Sequence, residues 1–128
     1  MNPARIVIAE DQWVVAHDIK CAVERSGHRV LCIVSSGEAA IEKARELQPD
    51  LLVMDINLEG KIDGLDAVGR IWEGRKMPVV FVSANADECT LRHPVFAGTA
   101  SLVGKPFSEM DLRSSIEKAL AVKDLTKL

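Results

Sequence analysis

The sequence contains no tyrosine, and aromatic residues make up only 4% of it. That scarcity argues against the stacking platforms that grip single-stranded nucleic acid. A basic excess is also missing. Sixteen Lys and Arg stand against 19 Asp and Glu, for a net charge of −3. A surface built to coat nucleic acid or an anionic membrane is therefore not expected. Long apolar runs are absent too. The longest, Val30–Val34, falls far short of the roughly 20 residues that span a bilayer. The N-terminus, Met1-Asn2-Pro3-Ala4-Arg5, carries no apolar signal-peptide core. Cys21, Cys32 and Cys89 lack CxxC spacing, so neither a disulfide frame nor a zinc site is expected. They read as reduced thiols of a cytoplasmic protein. No repeat, low-complexity stretch or linker interrupts the 128 residues, a length that suits one domain over 1–128.

What the chain does have is an alternation of short β-branched runs with helical patterns. Arg5–Ala9, Arg29–Val34, Leu51–Asp55, Val79–Ser83 and Ser101–Val103 read as strands. Between them, Val15, Ile19, Ala22 and Val23 keep helical spacing over Trp13–Ser26, with Gly27 as the stop. Ser35 and Glu38 suggest a capping box for a helix to Leu47, bearing Ala40, Ile41, Ala44 and Leu47 on one face. A third helix is expected to turn Leu65, Val68, Ile71 and Trp72 inward, and Trp13 is likewise expected to pack. Asp87–Arg92 reads as a short helix that Pro94 stops or distorts. Ser108 is expected to cap a last helix with Leu112, Ile116, Ala119 and Leu120 inside. His17, His28 and His93 share no ligand spacing and are expected to be solvated or locally bonded.

Strands that are apolar on both faces imply a parallel sheet covered by helices on either side. The expected fold is α/β, a doubly wound five-stranded parallel sheet of order 2-1-3-4-5. Its functional crevice lies at the carboxyl ends of the strands. This sequence puts Glu10 and Asp11 after the first strand, Asp55 at the end of the third, Ser83 at the end of the fourth and Lys105-Pro106 after the fifth. Carboxylates gathered in this way need a counter-charge, since two unit charges about 4 Å apart repel by roughly 4 kcal/mol at an effective dielectric near 20. A magnesium ion held by one or two carboxylates and phosphate oxygens meets that need, and Lys105 adds a further positive charge. The set suits phosphoryl transfer, with Asp55 as a nucleophile forming an aspartyl-phosphate. Ser83 and Lys105 would each hold a phosphoryl oxygen. Taken singly, Asp55 reads as a loop cap, Glu10-Asp11 as helix N-terminal charge, Ser83 as a turn residue and Lys105 as a surface charge. Their combination favours the chemical reading.

The order and spacing of Glu10-Asp11, Asp55 in VMDINL, Asp63-Gly64, Ser83-Ala84 and Lys105-Pro106-Phe107 resemble the receiver domain of two-component response regulators. The resemblance covers essentially the whole chain. It implies that Asp55 accepts a phosphoryl group from a histidine kinase or phosphotransfer protein. It implies a Mg2+ ion held by Glu10, Asp11, Asp55 and the main-chain carbonyl of Asn57. Ser83, Leu102, Lys105 and Pro106 would be the switch and output positions, and the Lys105-Pro106 bond would be cis. It further implies slow autodephosphorylation in place of conventional turnover, and output through an unknown downstream protein. Homodimerisation is left open, and direct contact with nucleic acid or membrane is not expected. The sequence departs from the family at Leu102, where an aromatic is usual, and in the lengthened loop Asn57–Gly64. Leu102 keeps a second reading in view, a receiver used only as a phosphorylation-independent interaction module. A phosphohydrolase is disfavoured because Asn57, two residues past Asp55, cannot serve as an acid. The chain ends 23 residues after Lys105, so the expectation is a complete receiver without an output domain.

Overall fold

A computed structural model describes residues 3–84 and 100–126, the last five in backbone only. Strands β1 (Arg5–Ala9), β2 (Arg29–Val34), β3 (Leu51–Asp55), β4 (Val79–Ser83) and β5 (Ala100–Gly104) alternate with helices α1 (Trp13–Arg25), α2 (Gly37–Leu47) and α3 (Gly64–Gly74). Helix α4 (Glu109–Thr126) follows β5. The expected short helix at Asp87–Arg92, Pro94, His93 and Cys89 lie outside the described residues. The five strands form one parallel sheet in the order β2-β1-β3-β4-β5, as the pattern of the sequence predicts.

The alternation of side chains along each strand divides the core in two. Val7, Ala9, Leu52, Met54, Val79 and Phe81 face one side, where they pack with Ala40 and Ala44 of α2 and Val68 and Ile71 of α3. Ile6, Ile8, Leu51, Val53, Val80, Val82 and Val103 face the other, against Ile19 and Val23 of α1 and Leu112 and Ile116 of α4. This is why β1, β3 and β4 read as unbroken apolar runs. Strand β2 differs from expectation. It is an edge strand without a fully buried residue, and Ile33 is 41% exposed.

The helix ends follow local chemistry. Gly27, at φ 87°, takes the left-handed conformation just past α1. The cap of α2 is Ser36, one residue beyond the expected Ser35. Its hydroxyl accepts from the Ala39 N–H at 3.1 Å. Asp63 caps α3 by accepting from Asp66 N–H at 2.8 Å, and Ser108 accepts from Asp111 N–H at 3.0 Å. Leu65 and Trp72 are only partly buried against the core, and the Trp72 indole N–H donates to the Met77 carbonyl. Trp13 does not pack. It is 77% exposed at the start of α1.

His28 corrects another expectation. It is buried, and its Nδ1 accepts from Ala4 N–H at 3.0 Å. Its Nε2 lies 2.9 Å from Glu117 Oε1, a partner 89 positions away on α4. Among the described residues no helix is long and apolar enough to cross a membrane.

Candidate functional site

The sheet register brings the expected site residues to one level. Ala9 pairs with Met54, so Glu10 falls beside Asp55. Asp55 pairs with Val82, which sets Ser83 one step beyond it. Ser83 pairs with Gly104, and Lys105 comes next. Main-chain bonds extend the ladders past the strand ends, from Glu10 N–H to the Val34 carbonyl at 2.9 Å and from Lys105 N–H to the Ser83 carbonyl at 2.8 Å.

Carboxylate oxygens of Glu10, Asp11 and Asp55 lie within 4.8 Å of one another. Lys105 Nζ is 3.1 Å from Asp55 Oδ2 and 2.6 Å from Glu10 Oε1. Asp55 Oδ1 accepts from Asn57 N–H at 3.0 Å, and Glu10 Oε2 accepts from Gln12 N–H at 3.2 Å. Ser83 is buried beside them. Its Oγ lies 3.4 Å from Asn57 Nδ2. The Lys105-Pro106 peptide bond is cis. Leu102 stands apart from the polar cluster, partly buried against the core on the Phe81 side of the sheet.

The electrostatics show how the charges at the site balance. Burial pushes the Glu10 carboxyl up to about 7, and the neighbouring Asp55 pushes the same way while Lys105 opposes both. Burial lowers the Lys105 ammonium, but its pairs with Glu10 and Asp55 outweigh that and raise it overall. Among the described residues, three carboxylates gather beside the Lys105 ammonium. Glu10 Oε1, though close to Lys105, is buried without an aligned hydrogen bond. A hard divalent cation fits this donor set of carboxylate oxygens, and Glu10, Asp11 and Asp55 are the side chains able to hold it.

Sequence reasoning missed why Gly64 stands where it does. A Cβ there would lie 2.2 Å from the Asp55 carbonyl oxygen, and the Gly64 N–H donates to the Ile56 carbonyl at 2.8 Å. It also missed the Asn57 side chain, which reaches Ser83. The sequence signal for Gly64 was its place before a helix, but nothing local reveals the close approach.

The response regulator receiver domain model matches residues 6–117. The chain belongs to the response regulator receiver domain family. This receiver is 31% identical over 127 residues to the transcriptional regulatory protein PdtaR of Mycobacterium tuberculosis, covering 98% of the chain and 62% of that protein. It is 32% identical over 117 residues to the phyllosphere-induced regulator PhyR of Methylorubrum extorquens, covering 90% of the chain and 43% of PhyR. The chain thus spans less than two thirds of these curated relatives. Among solved structures, the signal receiver domain of a modulated diguanylate cyclase from Desulfovibrio desulfuricans superposes with a TM-score of 0.84 at 28% identity, covering 98% of this chain and 99% of that one. PhyR from Brucella abortus gives 0.84 at 28% identity, covering 98% and 51%. As a receiver, the chain is of the kind whose general role is a phosphorylation-dependent switch in two-component signalling.

Proposed function

We propose that residues 1–128 act as one receiver unit that takes a phosphoryl group on Asp55 from a phosphohistidine of a histidine kinase or phosphotransfer protein, and signals through protein contacts. The observation that carries this is the Asp55 carboxylate, at a strand end, 3.1 Å from Lys105 Nζ and within 4.8 Å of the Glu10 and Asp11 oxygens. An Asp55 oxygen attacks phosphorus. The P–N bond of the phosphohistidine breaks, and the imidazole leaves with its electron pair and takes a proton. The new P–O bond makes an acyl phosphate.

The chain's own groups prepare this step. Asn57 N–H fixes one Asp55 oxygen, and Lys105 neutralises the other and stands ready for a phosphoryl oxygen. Ser83 Oγ, at the next sheet position, supplies a hydroxyl donor. Mg2+, when bound, supplies neutralisation of the negative charge that the carboxylates and phosphoryl oxygens bring together. Glu10, Asp11, Asp55 and the Asn57 carbonyl would hold it. This reading implies a cytoplasmic protein and is silent on homodimerisation.

The test is Mg-dependent, acid-labile labelling from a small phosphodonor or a phosphorylated kinase. Wild-type chain is expected to label, and Asp55→Asn to lose essentially all of it. Equal labelling of Asp55→Asn overturns the assignment.

Leu102 supports one second reading, a module that binds partners without regard to phosphorylation. It predicts no Mg-dependent change in tryptophan fluorescence on adding beryllofluoride. The first reading predicts a change, and Trp13, exposed two residues past Asp11, is a suitable reporter.

A further inference from the structure

The connection between β3 and α3, residues 56–63, touches the site at one end and α2 at the other. Asn57 N–H donates to Asp55 Oδ1, and Asn57 Nδ2 lies 3.4 Å from Ser83 Oγ. Further along, Glu59 forms an isolated parallel bridge with Ser36, the residue that caps α2. Gly60, at φ 107°, sits against the Glu38 carboxylate, so that a Cβ there would be 3.0 Å from Glu38 Oε2. Ile62 leaves still less room. A Cβ on Gly37 would lie 2.7 Å from Ile62 Cγ1. Leu58 and Ile62 are buried in the same core cluster as Ala40 and Ala44 of α2. From the Asp55 carboxylate to the first turn of α2, the contacts are continuous. Close-packed groups of this kind transmit a shift and do not absorb it.

We propose that this connection carries the state of Asp55 to the start of α2, so that residues 36–40 and 57–62 together form a phosphorylation-responsive surface. The proposal rests on the reading of Asp55 as phosphoacceptor. A phosphoryl group brings up to about two negative charges and three strong acceptor oxygens. It arrives where Asn57 and Ser83 now face each other. Its oxygens compete for the Ser83 hydroxyl and for the Asn57 donors. Once Asn57 changes partners, the Leu58, Gly60 and Ile62 contacts must move with it or break. Gly37 leaves Ile62 no slack, so the first turn of α2 follows. The bistable element is the 56–63 connection, and the charge change at Asp55 biases it.

The experiment is amide hydrogen exchange on the Mg-loaded chain with and without beryllofluoride, with binding read separately by tryptophan fluorescence. Exchange over residues 36–40 and 57–62 is expected to change by about fivefold or more, the size of a clear shift in local opening. Binding without a change at 36–40 overturns the proposal and leaves the acceptor reading intact. Failure of beryllofluoride to bind overturns both. Ile62→Ala is expected to bind beryllofluoride with unchanged affinity and lose most of the response at 36–40. A full response in that variant overturns the proposal. Ile62→Val, a milder truncation of the same side chain, is expected to lose part of the response at 36–40 should Ile62→Ala weaken the fold, and a full response there also overturns the proposal.

Discussion

An added Cβ at Gly64 would lie 2.2 Å from the Asp55 carbonyl oxygen and 2.9 Å from Met54 Cγ. Backbone cannot retreat as a flexible side chain can, so Gly64→Ala must displace the strand end that presents the acceptor. Overpacking of this kind typically costs about 1–3 kcal/mol. We expect Gly64→Ala to lower the unfolding free energy by that amount, read as a lower urea midpoint, and to slow labelling of Asp55. An unchanged midpoint would mean that the α3 start can slide away freely. His28 gives a second prediction at this scale, remote from the site. Truncation in His28→Ala leaves the Ala4 N–H, whose acceptor is His28 Nδ1, without that partner, and removes the link to Glu117. A buried donor left unmade costs about 1–3 kcal/mol. Denaturant unfolding of His28→Ala should show a loss of that order with Asp55 labelling retained. The importance of His28 was not legible in the sequence, because its partner on α4 is 89 positions distant. Trp13 was misjudged for a related reason. Helical spacing gives a residue's angle around the helix but not whether a neighbouring element covers that angle.

Elements were the most legible level, because strand and helix signals are local. The runs RIVIA, LLVMD and VVFVS are short, β-branched and bounded, and each is a buried strand. RVLCIV carries the same signal but lies at the sheet edge, where Ile33 meets solvent. Composition makes a strand; the order of strands decides which one is left uncovered. The start of α2 shows the limit of motif reading. Ser35 and Ser36 both precede the helix, and the box spacing to Glu38 favours Ser35. The backbone instead turns at Ser36, whose extended conformation lets Oγ reach the Ala39 N–H, and whose bridge to Glu59 holds it there. Loss of a serine cap costs about 1 kcal/mol. Ser36→Ala is therefore expected to destabilise the chain by about that much in thermal or urea unfolding. The exposed Ser35→Ala should stay within about 0.5 kcal/mol of wild type. A larger effect of Ser35→Ala than of Ser36→Ala would return the cap to Ser35.

The acidic site is a property of the whole sheet. Glu10 and Asp11 follow β1, Asp55 ends β3 and Lys105 follows β5, so no single element holds more than part of it. The residues were legible in the sequence because a parallel sheet sends all its strand ends to one side. Their distances were not, because register is fixed by pairing across the sheet. Folding buries and gathers charges that the unfolded chain keeps solvated and far apart; burial first, and the neighbouring Asp55 second, raise the Glu10 carboxyl. A cation that binds the folded cluster and not the dispersed carboxylates must stabilise the fold by mass action. At a free concentration about 100 times Kd the gain is about 2.7 kcal/mol. For a domain of this size each kcal/mol moves the midpoint by several degrees, so the expected rise in Tm on adding Mg2+ to chelator-treated protein is of order 10 °C. Asp11→Asn should blunt the rise without abolishing the fold, since Asp11 is the least buried of the three carboxylates and belongs to no strand or helix. A Tm that is the same in Mg2+ and in chelator would show that Lys105 alone neutralises the cluster. In that case the metal would have no place in this receiver.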